Sequence, residues 1–177
     1  MARCFIGIMM PEGVNPKIIS IQNSLRGLPI ACKMVERENL HLCLSFLGEI
    51  EENEINDICR KLDEISQRYK QFDVDVFGIK FIPSESYIRV LALGCSNTLL
   101  ETISKNIKND IGGDVKPPHI TLCRVKNIEE KQKAVEDIKK IDSNIGKFTV
   151  SSIQLIKSEL QKPGPIYSVI HESKLSE

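Results

Sequence analysis

Two short segments of the chain carry the same arrangement of polar and apolar residues: His41-Leu42-Cys43-Leu44-Ser45-Phe46 and His119-Ile120-Thr121-Leu122-Cys123-Arg124. Between them they hold two of the three histidines in the sequence. Imidazole ionises near neutral pH, so two of them brought to one place can share proton transfer, one accepting as the neutral ring and one donating as the cation. Side chains at even spacing in an extended strand share a face. That alternation predicts His41, Cys43 and Ser45 on one face of the first segment, with Leu42, Leu44 and Phe46 on the other. His119, Thr121 and Cys123 form the matching face of the second segment. Each segment thus reads as a strand with one face for a core and one for a polar cleft. His171 lacks this context and reads as a surface or terminal-strand residue.

The same residues present a metal alternative, because His41, Cys43, His119 and Cys123 are a ligand inventory that zinc accepts. On a straight strand, side chains two apart are roughly 6 to 7 Å apart, so closing all four on one ion requires both strands to bend. The expectation is therefore a site with no metal and no cofactor. HExxH is absent, and Gly112-Gly113 is a turn signal with neither a GxGxxG nor a GxxxxGK[ST] phosphate loop around it. Neither nicotinamide binding nor ATP-dependent chemistry has a motif to rest on.

These segments need elements to hold them. Arg3 to Met9 reads as a strand, Asn15 to Leu25 as a helix, Lys33 to Glu36 as a short strand, and Leu40 to Leu47 as the first histidine strand. Ile55, Ile58, Leu62, Ile65 and Tyr69 recur at helical spacing and predict a helix over Glu51 to Lys70. Strands follow at Phe72 to Phe81 and Tyr87 to Leu93, then a helix over Ser96 to Asn109. The second histidine strand comes after Pro117-Pro118. A helix over Glu129 to Ile141 and strands at Phe148 to Ile156 and Pro165 to Ile170 complete the second half. The alternation of helices with strand pairs points to an α+β fold of two similar lobes, each an antiparallel sheet flanked by helices, rather than a parallel nucleotide-binding sheet. Residues 1–177 read as one such bilobal domain.

Charge and composition narrow the partners. The chain has 24 Lys and Arg against 24 Asp and Glu, which disfavours a long-range nucleic-acid clamp and leaves room for a local basic pocket for one terminal phosphate. No apolar run is long enough to cross a membrane, and no secretory signal is evident at Met1 to Met10. The six cysteines are scattered without CxxC spacing, which fits reduced thiols and a cytoplasmic protein.

With its flanking residues the pair of segments resembles a known family, the two-histidine (2H) phosphoesterases, and in particular the RNA 2′,3′-cyclic phosphodiesterases also described as 2′-5′ RNA ligases. His41-Leu42-Cys43-Leu44 and His119-Ile120-Thr121-Leu122 are similar to the family's two H-x-[ST]-x segments. The likeness extends through Arg3-Cys4-Phe5-Ile6, Phe46-Leu47-Gly48-Glu49, Ser158-Glu159-Leu160 and Gly164-Pro165-Ile166-Tyr167. Cys43 departs from it, standing where the family usually has threonine or serine, and a thiol is the weaker hydrogen-bond donor.

The resemblance implies a bilobal, pseudo-two-fold fold around a central cleft and metal-independent hydrolysis of RNA 2′,3′-cyclic phosphate ends to 2′-phosphates. It implies His119 as base and His41 as acid, with Cys43 and Thr121 orienting the phosphate. The substrate would be RNA with a cyclic-phosphate terminus or a small cyclic nucleotide, with no obligate protein partner. Arg124 is the candidate for an added phosphate contact, although its parity is opposite to that of His119 and a twist or bulge must bring it into the cleft. Arg3, Phe5 and Tyr167 are candidates for shaping the substrate side; Phe5 reads equally as core, and Tyr167 as a base-stacking ring or a closing sheet residue. Ligation of 2′,5′ ends and nonenzymatic binding of RNA ends are the alternatives.

Overall fold

The computed structural model describes residues 1–177. In chain order the elements are β1 (Ala2–Met9), α1 (Asn15–Arg26), β2 (Ile30–Met34), β3 (His41–Ile50), α2 (Ile55–Ser66), β4 (Phe72–Pro83) and β5 (Ile88–Ser96). They continue with α3 (Thr98–Asp110), β6 (His119–Ile128), α4 (Lys131–Lys139), β7 (Gly146–Val150), β8 (Ser152–Leu160) and β9 (Pro165–Lys174).

The strands form two antiparallel halves, β7-β4-β5-β6 and β3-β1-β8-β9. The halves meet where the two histidine strands touch, through the single register pair Leu42 and Ile120. Beyond that point β2 takes over as the neighbour of β6, and Asp114 pairs with Phe46 on β3. Only Ser151 separates β7, at one end of the strand order, from β8, near the other. So short a link means that the sheet curls until its two ends are close.

The helices are built on regular apolar spacing. Ile58, Leu62 and Ile65 are the buried stripe of α2, and Leu100, Ile103 and Ile107 that of α3. The Asn97 side chain caps α3 by accepting from the Leu99 amide at 2.7 Å. Helices α2 and α3 pack on the β3-β1-β8-β9 half, whereas α1 crosses to β2 and β6.

Three expectations change. The helix expected over Glu51 to Lys70 is confined to Ile55–Ser66. Glu51 and Glu54 form a capping box around a 3₁₀ turn at its start, and at the far end the Tyr69 carbonyl accepts from the Ser176 amide instead of continuing the helix. The short strand expected over Lys33 to Glu36 lies earlier, at Ile30–Met34. The strand expected over Phe148 to Ile156 is two strands, because the chain leaves one half of the sheet and enters the other at Ser151. The lobes are therefore not successive halves of the sequence: the β3-β1-β8-β9 half draws strands from both ends of the chain.

Register irregularities decide which residues reach the cleft. Opposite β1, Ser45 pairs with Ile6 and Cys43 with Gly7, leaving Leu44 as an extra residue. Opposite β5, Cys123 pairs with Leu91 and Thr121 with Ala92, leaving Leu122 extra. Each extra residue is a β-bulge that reverses the alternation beyond it. The bulges stand at the same distance from the two histidines. Consequently Ser45 and Cys123, expected on the histidine face, are fully buried, and Phe46 and Arg124, expected on the core face, are exposed.

Candidate active site

His41 and His119, the first residues of β3 and β6, line one cavity of about 360 Å³ between the two halves of the sheet. Each ring is held in the same way. His41 Nδ1 lies 2.8 Å from the Asn39 carbonyl oxygen, and His119 Nδ1 lies 2.8 Å from that of Pro117. A carbonyl only accepts, so both Nδ1 atoms carry hydrogen and Nε2 is the nitrogen that gains or loses a proton.

The surroundings of His41 are the more enclosed. The Phe5 ring is tilted against it at 4.6 Å between centroids, and Tyr167 meets it edge-on at 5.3 Å. Burial lowers the pKa of His41; the Asn39 carbonyl opposes that effect, and the His119 and Arg124 charges add to it. Tyr167 contacts Phe5 as well, at 5.0 Å, and burial raises its phenol pKa although Arg124 pulls the other way. Phe5 is both core and wall, since it is buried yet borders the cavity.

Cys43 and Thr121, two residues past each histidine, also line the cavity. Burial, with a smaller contribution from the Asp114 carboxylate, pushes the Cys43 thiol up to about 11, so it is a neutral donor at ordinary pH. Arg124 reaches the cavity because of the Leu122 bulge. Arg3, from β1, holds its guanidinium 5.1 Å from the centre of the Phe46 ring. The lysines at the rim are already engaged: Lys33 pairs with Glu36 at 3.8 Å and Lys116 with Asp114 at 3.1 Å. Arg3 and Arg124 take part in no ion pair and are the uncompensated charges facing the cavity. An anion there meets donors from both strands together with two guanidinium groups.

The cavity thus brings together all eight residues singled out from the sequence: Arg3, Phe5, His41, Cys43, His119, Thr121, Arg124 and Tyr167. No group of three or more His, Cys, Asp or Glu side chains is arranged to hold a metal ion. Cys123, part of the zinc alternative, is turned into the core by the bulge. His171 lies on β9, with Nε2 2.9 Å from Asp63 Oδ1, where it ties that strand to α2.

The structure adds two residues that the sequence reading missed. Phe46 stands where Arg124 stands in the other half and supports Arg3. Asn39 is buried, and its Nδ2 donates to the Pro165 carbonyl at 2.9 Å. It thereby fixes the segment whose carbonyl orients His41. No helix is long and apolar enough to cross a membrane.

Comparison with known proteins agrees with this geometry. The profile of the family described as LigT-like phosphoesterase matches residues 8–92 and 97–167. The RNA 2′,3′-cyclic phosphodiesterase of Methanocaldococcus jannaschii is 37% identical, the alignment covering 96% of this chain and 99% of that protein. Its counterpart in Aquifex aeolicus is 31% identical, covering 97% and 96%. Among solved structures, a protein of Thermus thermophilus superposes with a TM-score of 0.85 at 24% identity, covering 98% of this chain and 97% of that one. Escherichia coli LigT complexed with 3′-AMP gives 0.80 at 22% identity, covering 99% of each chain. These two likenesses speak to the fold.

Proposed function

The chain belongs to the LigT-like phosphoesterase family, and on that premise we propose that it hydrolyses RNA 2′,3′-cyclic phosphate ends to 2′-phosphates as one bilobal unit of residues 1–177. The observation that carries the reading is the matched pair of imidazoles, each held through Nδ1 by a carbonyl two residues earlier and each leaving Nε2 for the cleft. That is what in-line opening of a cyclic phosphodiester requires: a proton acceptor for water and a proton donor for the leaving oxygen.

In the proposed step His119 Nε2 takes a proton from water as the water oxygen bonds to phosphorus. The bond from phosphorus to O3′ breaks, and the proton on His41 Nε2 passes to O3′. One water is consumed, and a 2′-phosphate and a 3′-hydroxyl result. Burial holds the His41 pKa low in the free protein, and a phosphate anion in the cleft favours the imidazolium that the step requires. The Cys43 thiol and the Thr121 hydroxyl donate to the non-bridging oxygens, and Arg124 balances their charge. Arg3, Phe5 and Tyr167 shape the side that receives ribose and base. The protein is assigned to the cytoplasm, where its six unpaired cysteines stay reduced.

The test is hydrolysis of an RNA oligonucleotide ending in a 2′,3′-cyclic phosphate, with product linkage assigned by phosphorus NMR. A 2′-phosphate product is expected, with turnover reduced roughly 100-fold or more in His41→Ala and in His119→Ala, and with EDTA without effect. Binding of the RNA without turnover by the intact protein would instead identify a module for RNA ends.

A further inference from the structure

A second cavity, of about 650 Å³, adjoins the first and shares only His119 and Lys116 with it. Its size falls in the ~300–1,000 Å³ range of sites for small molecules. It is built on the sheet itself. Gly94 on β5 pairs with His119 on one side and with Phe77 on β4 on the other. Directly paired residues of an antiparallel sheet point to the same face, so Phe77 stands on the histidine face, two strands away from the ring.

The next residues of β4 are brought to that face by a third bulge. Phe77 pairs with Gly94 and Ile79 with Leu93, which leaves Gly78, at φ 75°, as the extra residue. The bulge turns Lys80 to the cleft face, opposite Ala92, which itself pairs with Thr121. Gly94 is what lets Lys80 lie flat: a Cβ there would come within 2.7 Å of Lys80 Cε and 3.1 Å of the Phe77 carbonyl oxygen. Pro117 and Pro118 also line this cavity.

Two properties identify the occupant. Phe77 is half exposed, at 50%, an aromatic ring presented beside the site with its surface unused. Of the two lysines in the lining, Lys116 is already held by Asp114, whereas Lys80 takes part in none of the molecule's ion pairs; Glu101 is the one carboxylate among the lining residues. An exposed ring beside unpaired positive charge is how proteins hold single-stranded nucleic acid, by stacking a base and meeting a phosphate. On the opposite side of the first cavity, the loop between β8 and β9 is tied down by Lys33 donating to the Pro163 carbonyl at 2.5 Å, and the first residue of β9 by Asn39 donating to the Pro165 carbonyl. The strand's open route therefore runs past His119.

We propose that this second cavity is a subsite for the nucleotide on the 5′ side of the cyclic end. Phe77 stacks on its base, and Lys80 meets the phosphate that links it to the terminal nucleotide. The proposal rests on the reading of the site as one that opens cyclic ends, and it makes short RNA, rather than a lone cyclic nucleotide, the preferred substrate.

The test compares kcat/KM for a 2′,3′-cyclic mononucleotide with that for the dinucleotide ending in the same cyclic nucleotide. Wild-type protein should favour the dinucleotide by about tenfold, as expected for one stacked base. Phe77→Ala and Lys80→Gln should each reduce that ratio at least about threefold, and Phe77→Tyr should retain it. Both side chains are exposed, so the variants keep the fold. A wild-type ratio near one, or variants that slow both substrates equally, would overturn the subsite and leave the hydrolase reading intact. Failure of wild-type protein to turn over either substrate would overturn the reading of the site, and the subsite with it.

Discussion

Phe46 and Arg124 occupy equivalent places in the two halves of the molecule, each returned to the cleft face by a single-residue bulge, Leu44 in one strand and Leu122 in the other. The equivalence is geometric and not chemical. In one half the strand itself delivers a guanidinium; in the other it delivers a ring on which Arg3, from the neighbouring strand, is laid. The cleft therefore presents a cation from each half.

The Arg124 charge bears on His41 as well as on the proposed phosphate position. Burial is the main cause that holds His41 below the ordinary imidazole value, and His119 and Arg124 add to it. A donor must be protonated, so kcat/KM should fall as pH rises through this lowered pKa, beginning below the usual value of about 6.5. Arg124→Gln should move that falling limb to higher pH while lowering kcat/KM roughly 10- to 100-fold through loss of a charge-assisted contact. Profiles of wild type and variant decide the matter: movement of the rising limb instead would make His41 the acceptor.

Cys43 should behave as a neutral hydrogen-bond donor. With its thiol pushed up to about 11, its alkylation by iodoacetamide should be slow at neutral pH and should rise about tenfold per pH unit up to that value, in step with the thiolate fraction. Cys43→Thr should preserve or raise turnover by supplying a stronger donor. Rapid labelling of Cys43 at neutral pH, or loss of activity in a folded Cys43→Thr protein, would contradict the assignment.

On the proposed mechanism Asn39 is a positioning residue that acts through His41. Asn39→Ala removes the donor to the Pro165 carbonyl, which should cost about 1–3 kcal/mol of stability and lower kcat about tenfold with less change in KM. Nitrogen-15 NMR of the imidazole supplies the decisive reading, because release of the Asn39 segment should let the His41 ring lose its Nδ1–H tautomer. An unchanged tautomer with lowered stability would leave Asn39 a purely structural role.

Gly113 should resist substitution for two separate reasons. Its φ is 92°, and an added Cβ would lie 2.8 Å from the Phe46 carbonyl oxygen and closer still to Ser45 Oγ. Gly113→Ala should therefore destabilise the protein by about 2 kcal/mol or more, read as a lowered urea midpoint. Gly112→Ala meets no such neighbour, so its cost should be confined to backbone strain and be the smaller of the two.

The cleft residues were legible in the sequence because the chemistry repeats: two histidines, each followed two residues later by a small polarisable or hydroxyl side chain. Alternation served as far as Cys43 and Thr121 and then failed. Nothing local marks Leu44 or Leu122 as extra residues; each is one more leucine at a core position, and the bulge exists only in register with β1 or β5. Helix α2 was visible in its Ile58, Leu62 and Ile65 spacing, but its ends were set by a capping box and by pairing with Ser176, a residue far along the chain. Asn39 was invisible for the same reason, since its partner Pro165 is 126 residues away. The crossing at Ser151 carries no glycine or proline to announce it.

That crossing has a consequence for the order in which the molecule can be made. Strand β1 pairs along one edge with β3 and along the other with β8, Cys4 lying opposite Lys157. On the ribosome, β1 and β3 emerge early and must wait with one edge bare while β4 to β7 are synthesised, and such an edge is a template for wrong pairing. Tyr167, the ring that closes over His41, arrives later still on β9. A nascent chain stalled before β8 would therefore carry both histidines but no finished cleft, and its exposed β1 would be the surface for a chaperone to shield.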